Sequence, residues 1–247
     1  MQQHLKKYLP VAIFILVIAI VVVSWFAWTD KKSSATAENS TSNNQAQITS
    51  LPVENSDPIP DIDKKWTKGN PDAKVQIIEF SDFQCPFCKK GAETLEKVYE
   101  KYKNDVNITF QHIPLSSIHP YALSAAKAAE AAGYQGKFWE MHDLLFANQS
   151  NLTAADLNTY AKKLGLDIDK FNQYMGNKNI AEKIAKGVSS IENKEFDEIA
   201  LNDKGEVVSQ GKAKIEGTPA FLINGKLVVG AYPFESFEKF IIAELNK

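Results

Sequence analysis

The stretch VQIIEFSDFQCPFCKKGAETLEKVYEKYKNDVNITFQHI, residues 75–113, decides the fold. Its first six residues form a short, mostly apolar run, the pattern of a buried strand. Pro86 then opens a helical stretch to about residue 102, and proline is favoured at the first helical position because its missing N–H has no partner there anyway. Residues 106–113 alternate apolar and polar side chains and read as a second strand. Strand, helix and strand within about 40 residues make a βαβ unit, which implies two parallel strands.

Downstream, the pattern turns helical for about a hundred residues. Residues 120–132 carry seven alanines and should lie close against their neighbours. Residues 137–147 place Phe138, Met141, Leu144 and Leu145 at helical spacing. Thr153, with Asp156 three residues on, begins another helix ending near Gly165. Shorter helical pieces reach about Phe196. Residues 198–211 contain the turn Asn202-Asp203-Lys204-Gly205, and the flanking pattern leaves helix and hairpin both open. After Thr218-Pro219, residues 220–223 read as a strand. Asn224-Gly225 is a strong hairpin signal, residues 227–229 are the returning strand, and residues 234–245 close as an amphipathic helix. The order is βα-β, a large helical insertion, then ββα.

Upstream, residues 9–28 form a 20-residue apolar run interrupted only by Pro10 and Ser24. As a helix it would measure about 30 Å, the thickness of a bilayer core. Trp25 and Trp28 stand at its far end, where aromatic rings favour the membrane interface. We read residues 1–8 as a short leader, 9–28 as an uncleaved signal anchor with its N-terminus inside, and 29–62 as a flexible linker rich in Ser, Thr, Asn, Gln and Pro. The competing reading is cleavage at the small residues Ala35-Thr36-Ala37, but the apolar run exceeds a usual signal core. Both readings put residues 63–247 outside the cytoplasm.

The composition of the 247 residues is ordinary for a globular domain, 44% hydrophobic and 23% charged. With 28 Lys and no Arg against 30 acidic residues, the balance argues against a nucleic-acid partner. The chain has two cysteines, Cys85 and Cys88, enough for one disulfide and too few for a cysteine-based metal centre. His112, His119 and His142 fall at no finger-like spacing from them, so neither a metal nor a cofactor is expected, and the histidines read as core or surface residues.

Cys85-Pro86-Phe87-Cys88 sits where the strand hands over to the helix. Residues three apart in one helical turn have α-carbons about 5 Å apart, inside disulfide range. The first sulfur lies at the helix N-terminus, beside unpaired N–H groups and the positive end of the macrodipole. Both favour a thiolate, the attacking species in disulfide exchange. Cys88, inside the first turn, should be more buried and act as the resolving thiol. A purely structural disulfide is the weaker reading, because a two-residue loop closes little entropy. Glu79, in an otherwise apolar strand six residues before Cys85, would be desolvated and its pKa raised, which suits proton exchange with Cys88. Its alternative is a carboxylate at the strand end that reaches solvent or a lysine. Thr218-Pro219 opens a strand; a cis bond there would expose the preceding backbone to an extended peptide.

These features resemble the DsbA-like branch of the thioredoxin superfamily. The resemblance runs from about Trp66 to the end. It rests on residues 80–88 (FSDFQCPFC), Ile113-Pro114-Leu115, His119-Pro120, residues 135–142 (QGKFWEMH), residues 164–167 (LGLD), residues 217–221 (GTPAF), Asn224-Gly225 and Gly230-Ala231. It implies an α/β thioredoxin fold with a helical insertion at about 116–200. It implies Cys85 as nucleophile, Cys88 as resolving cysteine, Pro219 as a cis proline and Glu79 at the position of a buried acid. Thr218, Pro219, Pro86 and Phe87 would form the substrate-binding surface. Anchored relatives of this kind oxidise secreted or membrane proteins and are reoxidised by a quinone-coupled membrane enzyme. The best-known oxidant of the family has Pro-His between its cysteines. Phe87 can neither donate a hydrogen bond nor carry charge, so a potential between a strong oxidase and a reductant is expected. The expected activity is therefore that of a membrane-tethered protein-disulfide oxidoreductase working as an oxidase. The alternatives are a reductase or isomerase, and a non-catalytic chaperone-like binding module.

Overall fold

The computed structural model describes residues 64–202 and 204–247. The leader, the anchor at 9–28, the linker and the cleavage site at 35–37 lie outside the described residues. Among the described residues, no helix is long and apolar enough to cross a membrane.

The elements are β1 (Thr67–Gly69), β2 (Val75–Ser81), α1 (Pro86–Tyr102), β3 (Val106–His112), α2 (Ala122–Gly133), α3 (Phe138–Ala147), α4 (Ala154–Lys163), α5 (Ile168–Gly176), α6 (Lys178–Ser189), β4 (Phe196–Leu201), β5 (Val207–Ala213), β6 (Ala220–Ile223), β7 (Lys226–Val229) and α7 (Phe234–Leu245). The strands form one sheet in the order β1-β3-β2-β6-β7-β4-β5. β2 and β3 are parallel, as the βαβ reading requires. β6 returns antiparallel beside β2, and the Asn224-Gly225 turn leads it into β7. Both turn residues have positive φ, +47° and +83°, the backbone that a two-residue hairpin demands and that Asn and Gly tolerate best.

The central strand β2 is covered on both faces, so its continuous apolar run has a physical cause. On one face Ile77, Ile108, Phe221 and Ile223 meet Leu95 and Val98 of α1 and Phe237, Phe240 and Ile241 of α7. On the other, Ile78, Phe80 and Leu222 meet Ile113, Ile191 and Phe196. The helical insertion has its own core. All seven alanines of α2 are buried, and a helix with methyl-sized side chains admits close neighbours. Phe138, Met141, Leu145, Leu157 and Phe171 fill that core, which runs without a break into Phe83, Cys85 and Cys88.

Two boundaries differ from expectation. The insertion's helices end at Ser189, and residues 196–201 belong to β4 rather than to the helical region. The ambiguous stretch at 198–211 is the β4–β5 hairpin, which extends the sheet through a parallel pairing of β4 with β7.

Helix α4 starts with a reciprocal cap: the Thr153 hydroxyl accepts from Asp156 N–H while the Asp156 carboxylate accepts from Thr153 N–H. Thr153→Ala removes this cap at an exposed helix start. The expected loss is about 1 kcal/mol, read as a lower urea midpoint at unchanged slope.

Candidate active site

The site begins where β2 ends. Asp82 is buried, and each of its polar atoms has work to do. One carboxylate oxygen accepts from Gln84 N–H at 2.8 Å; the other accepts from Leu115 N–H at 2.9 Å and lies 2.8 Å from His119 Nδ1. Its carbonyl accepts from Cys85 N–H at 3.1 Å, and its own N–H points at the Cys88 sulfur at 3.4 Å. The carboxylate thus ties the turn before α1 to the segment after β3. Gln149, in the loop after α3, adds a second brace: its amide nitrogen donates to the Phe83 and Cys85 carbonyls, both at 2.8 Å.

Cys85 is the N-cap of α1 with extended backbone, and Pro86 occupies the first turn. The Cys88 and Lys89 N–H groups both turn back to the Cys85 carbonyl. Against this helix start lies the loop before β6, whose Thr218–Pro219 bond is cis. Gly91 makes that approach possible, because a Cβ there would stand 2.9 Å from the Phe221 ring and 3.3 Å from Pro219. The protonated Cys85 thiol donates to the Thr218 carbonyl at 3.6 Å.

The two sulfurs are pushed in opposite directions. A hydrogen bond from the Cys88 thiol, together with the Cys88 and Phe87 N–H groups and Thr218, lowers the Cys85 pKa to about 5 against the opposing effect of burial. Burial first, and then the neighbouring Cys85 sulfur, hold Cys88 far above the ordinary thiol range. One thiol is therefore anionic near neutral pH and the other, still protonated, donates a hydrogen bond to it. Phe87, between them in sequence, is 59% exposed and presents an apolar surface beside the sulfur.

Glu79 is 1% exposed, so the carboxylate does not reach solvent at the strand end. It sits between Phe110 of β3 and Phe221 of β6, on the face toward α1. Burial raises its pKa to about 7, with Ser81 and the Lys68 charge acting the other way. Its Oε1 has no hydrogen-bond partner, and the residue lines a cavity of about 370 Å³ together with Lys68, Ala92, Trp139 and His142.

The structure therefore brings Cys85, Cys88, Pro86, Thr218 and Pro219 together and leaves Glu79 buried in the strand that leads to them. Sequence reasoning overlooked Asp82, Gln149 and Gly91, and read the histidines as core or surface residues. His112 and His142 pack around Phe83 and Phe110 beneath the loop that carries Cys85, and His119 holds Asp82. Asp82 lay within the motif that carried the resemblance, but its role depends on Leu115 and His119, which only the fold brings near. Among the described residues, no group of three or more His, Cys, Asp or Glu side chains is placed to hold a metal ion.

The family model described as thioredoxin matches residues 62–243. Among curated proteins, a Na(+)/H(+) antiporter NhaA 1 of Salinispora arenicola is 36% identical over 176 residues, covering 71% of this chain and 24% of its own length. The chain spans about a quarter of the length of the curated relatives it matches. Among solved structures, oxidised BdbD of Bacillus subtilis superposes with a TM-score of 0.59 at 21% identity, covering 76% of this chain and 96% of that one. The alpha-DsbA1 of Wolbachia pipientis gives 0.58 at 22% identity, covering 76% and 93%. These structures share the fold described above.

Two titrations follow. Alkylation of the reduced protein at Cys85 is expected to rise with a midpoint near pH 5, against about 8.5 for free cysteine. Glu79 has the opposite linkage. Its folded pKa of about 7 exceeds the ordinary 4.5, so the folded state binds more protons between these values and stability falls as pH rises through that window. Glu79→Gln is expected to melt at a higher temperature than the parent at pH 8, with the advantage gone at pH 4.

Proposed function

The chain belongs to the thioredoxin family, and from that premise we propose that it is a thiol–disulfide oxidoreductase that introduces disulfides into extracytoplasmic proteins. The observation that carries this reading is the opposed pair of sulfurs, Cys85 held as a thiolate at the α1 N-terminus and Cys88 buried as a thiol behind it.

In the oxidase direction the protein starts with Cys85 joined to Cys88. A client thiolate attacks the Cys85 sulfur, the Cys85–Cys88 bond breaks, and Cys88 leaves as a thiolate that takes a proton from Glu79. The client is now held to Cys85 in a mixed disulfide. A second client thiolate attacks the client sulfur and expels Cys85 as a thiolate. Two electrons pass from client to protein, and the client leaves with a disulfide. A low-pKa thiol is the better leaving group, which favours release from Cys85 in this direction.

Thr218, Pro219, Pro86 and the exposed Phe87 form the surface on which a client segment rests. The Phe87 side chain offers the Cys85 thiolate no hydrogen bond beyond the one from its backbone N–H, so the potential lies between those of a strong oxidase and a reductant. Residues 9–28 tether the domain to the membrane with residues 63–247 on the extracytoplasmic side. The clients are cysteine-containing secreted or membrane proteins. A quinone-coupled membrane enzyme restores the Cys85–Cys88 disulfide.

Cys88→Ala removes the resolving thiol and keeps the nucleophile. Incubated with a disulfide-bearing client protein, it is expected to accumulate mixed disulfides through Cys85, seen on non-reducing gels and mapped by mass spectrometry. A non-catalytic binding module would form none.

A further inference from the structure

The cavity beside Glu79 contains a second buried group able to carry a proton. His142, on α3, is 5% exposed. Its ring is boxed by Phe83, Phe110, Trp139 and Phe146, with centroids 5.7, 5.2, 5.0 and 4.9 Å away. The box leaves the ring's two nitrogens with different surroundings. Nδ1 lies 2.8 Å from Asp143 Oδ1, and the Asp143 side chain is 68% exposed. Nε2 is buried with no hydrogen-bond partner, as is Glu79 Oε1, and both residues line the same 370 Å³ cavity. That volume holds several water molecules at about 30 Å³ each. A phenylalanine would fill an aromatic box equally well. Phenylalanine would not bring a buried ring nitrogen without a protein partner, so packing alone does not account for histidine here.

We propose that His142 is a proton-relay residue that connects Glu79 to solvent, with cavity water on its Nε2 side and Asp143 on its Nδ1 side. The proposal rests on the reading that Glu79 exchanges a proton with Cys88.

The relay balances over a cycle. The Asp143 carboxylate fixes the resting proton on Nδ1, leaving the Nε2 lone pair toward the cavity. When the Cys88 thiol ionises, its proton goes to the Glu79 carboxylate, and from Glu79 through water to Nε2. The ring then releases its Nδ1 proton to Asp143, which passes it to solvent, and the ring is left protonated at Nε2. When Cys88 later leaves a disulfide as a thiolate, a proton enters by the reverse path and restores the Nδ1 form. Cys88 gains one proton and loses one in each full cycle, so the ring returns to its resting form without turning over inside its box.

The charged groups around the cavity fit this role. Lys68 comes from β1, Lys89, Glu93 and Glu96 from α1, and Asp143 from α3. Lys68 is paired with Glu96 at 2.6 Å. Burial, ahead of the opposing pull of Asp143, holds the His142 pKa below the usual imidazole range. The ring is therefore neutral near pH 7, with one N–H to give and one lone pair to receive.

The test uses the full chain carrying a fluorescent peptide disulfide-linked to Cys85, with peptide release by Cys88 followed from pH 6 to 8 in weak buffer. His142→Ala is expected to slow release roughly tenfold. Added imidazole should restore the rate saturably, while Cys85 alkylation stays at the parental rate. A rate equal to the parent's, or a slowing that imidazole does not relieve, overturns the relay. Asp143→Asn, an exposed change that keeps the aromatic box, decides the matter if His142→Ala does not fold: release should slow severalfold, and an unchanged rate overturns the relay. Glu79→Gln separates the two layers. If it leaves release and its pH profile unchanged, the role of Glu79 itself fails. If it alters both while His142→Ala alters neither, only the relay falls.

Discussion

A sulfur anion must be kept at the first turn of α1, in a molecule whose other thiol is buried a few ångströms behind it. Almost everything near the site answers to that demand. The end of β2 has to deliver Cys85 to the N-cap with its carbonyl turned into the helix and its side chain left outside it. Asp82 secures the handover, because a buried carboxylate is tolerable only when fully hydrogen-bonded, and its partners here are the backbone on either side of the gap it closes. The Cys88 thiol then serves as a donor to its neighbour because its own ionisation is suppressed by the apolar interior.

Glu79 extends the same logic to protons. A carboxylate in the middle of a covered sheet destabilises the fold when charged, and among the described residues no ion pair to Glu79 repairs this: Lys68, whose charge acts on Glu79, is paired with Glu96. The protein keeps an acid whose affinity for protons is balanced near neutrality, next to a cavity rather than in close-packed core. That is costly for stability, and carboxyl groups perturbed in this way cluster at functional sites.

Much of this architecture was legible from residue pattern. The βαβ unit, the helical insertion, the Asn-Gly hairpin and the Thr153 cap all announce themselves through local signals whose physics is local too. The β4–β5 hairpin did not. β5 is an edge strand with six of its seven residues exposed, so it has no buried face to impose alternation. The site was legible to the same degree and no further. Cys85, Cys88 and Glu79 are unusual residues in plain positions along the chain. Gln149 and His142 are ordinary residues given their setting by contacts 64 and 59 positions away in sequence, the first to Cys85 and the second to Phe83. No window of sequence contains both ends of such a contact.

The two hydrogen bonds from Gln149 tie the helical insertion to the loop that carries Cys85 through a single amide. One of them ends on the carbonyl of the nucleophile itself, the same carbonyl that receives the first N–H groups of α1. The insertion is thereby more than a wall beside the sulfur. A displacement of the segment between α3 and α4 would therefore shift the peptide unit that frames the Cys85 sulfur, because the two share one amide.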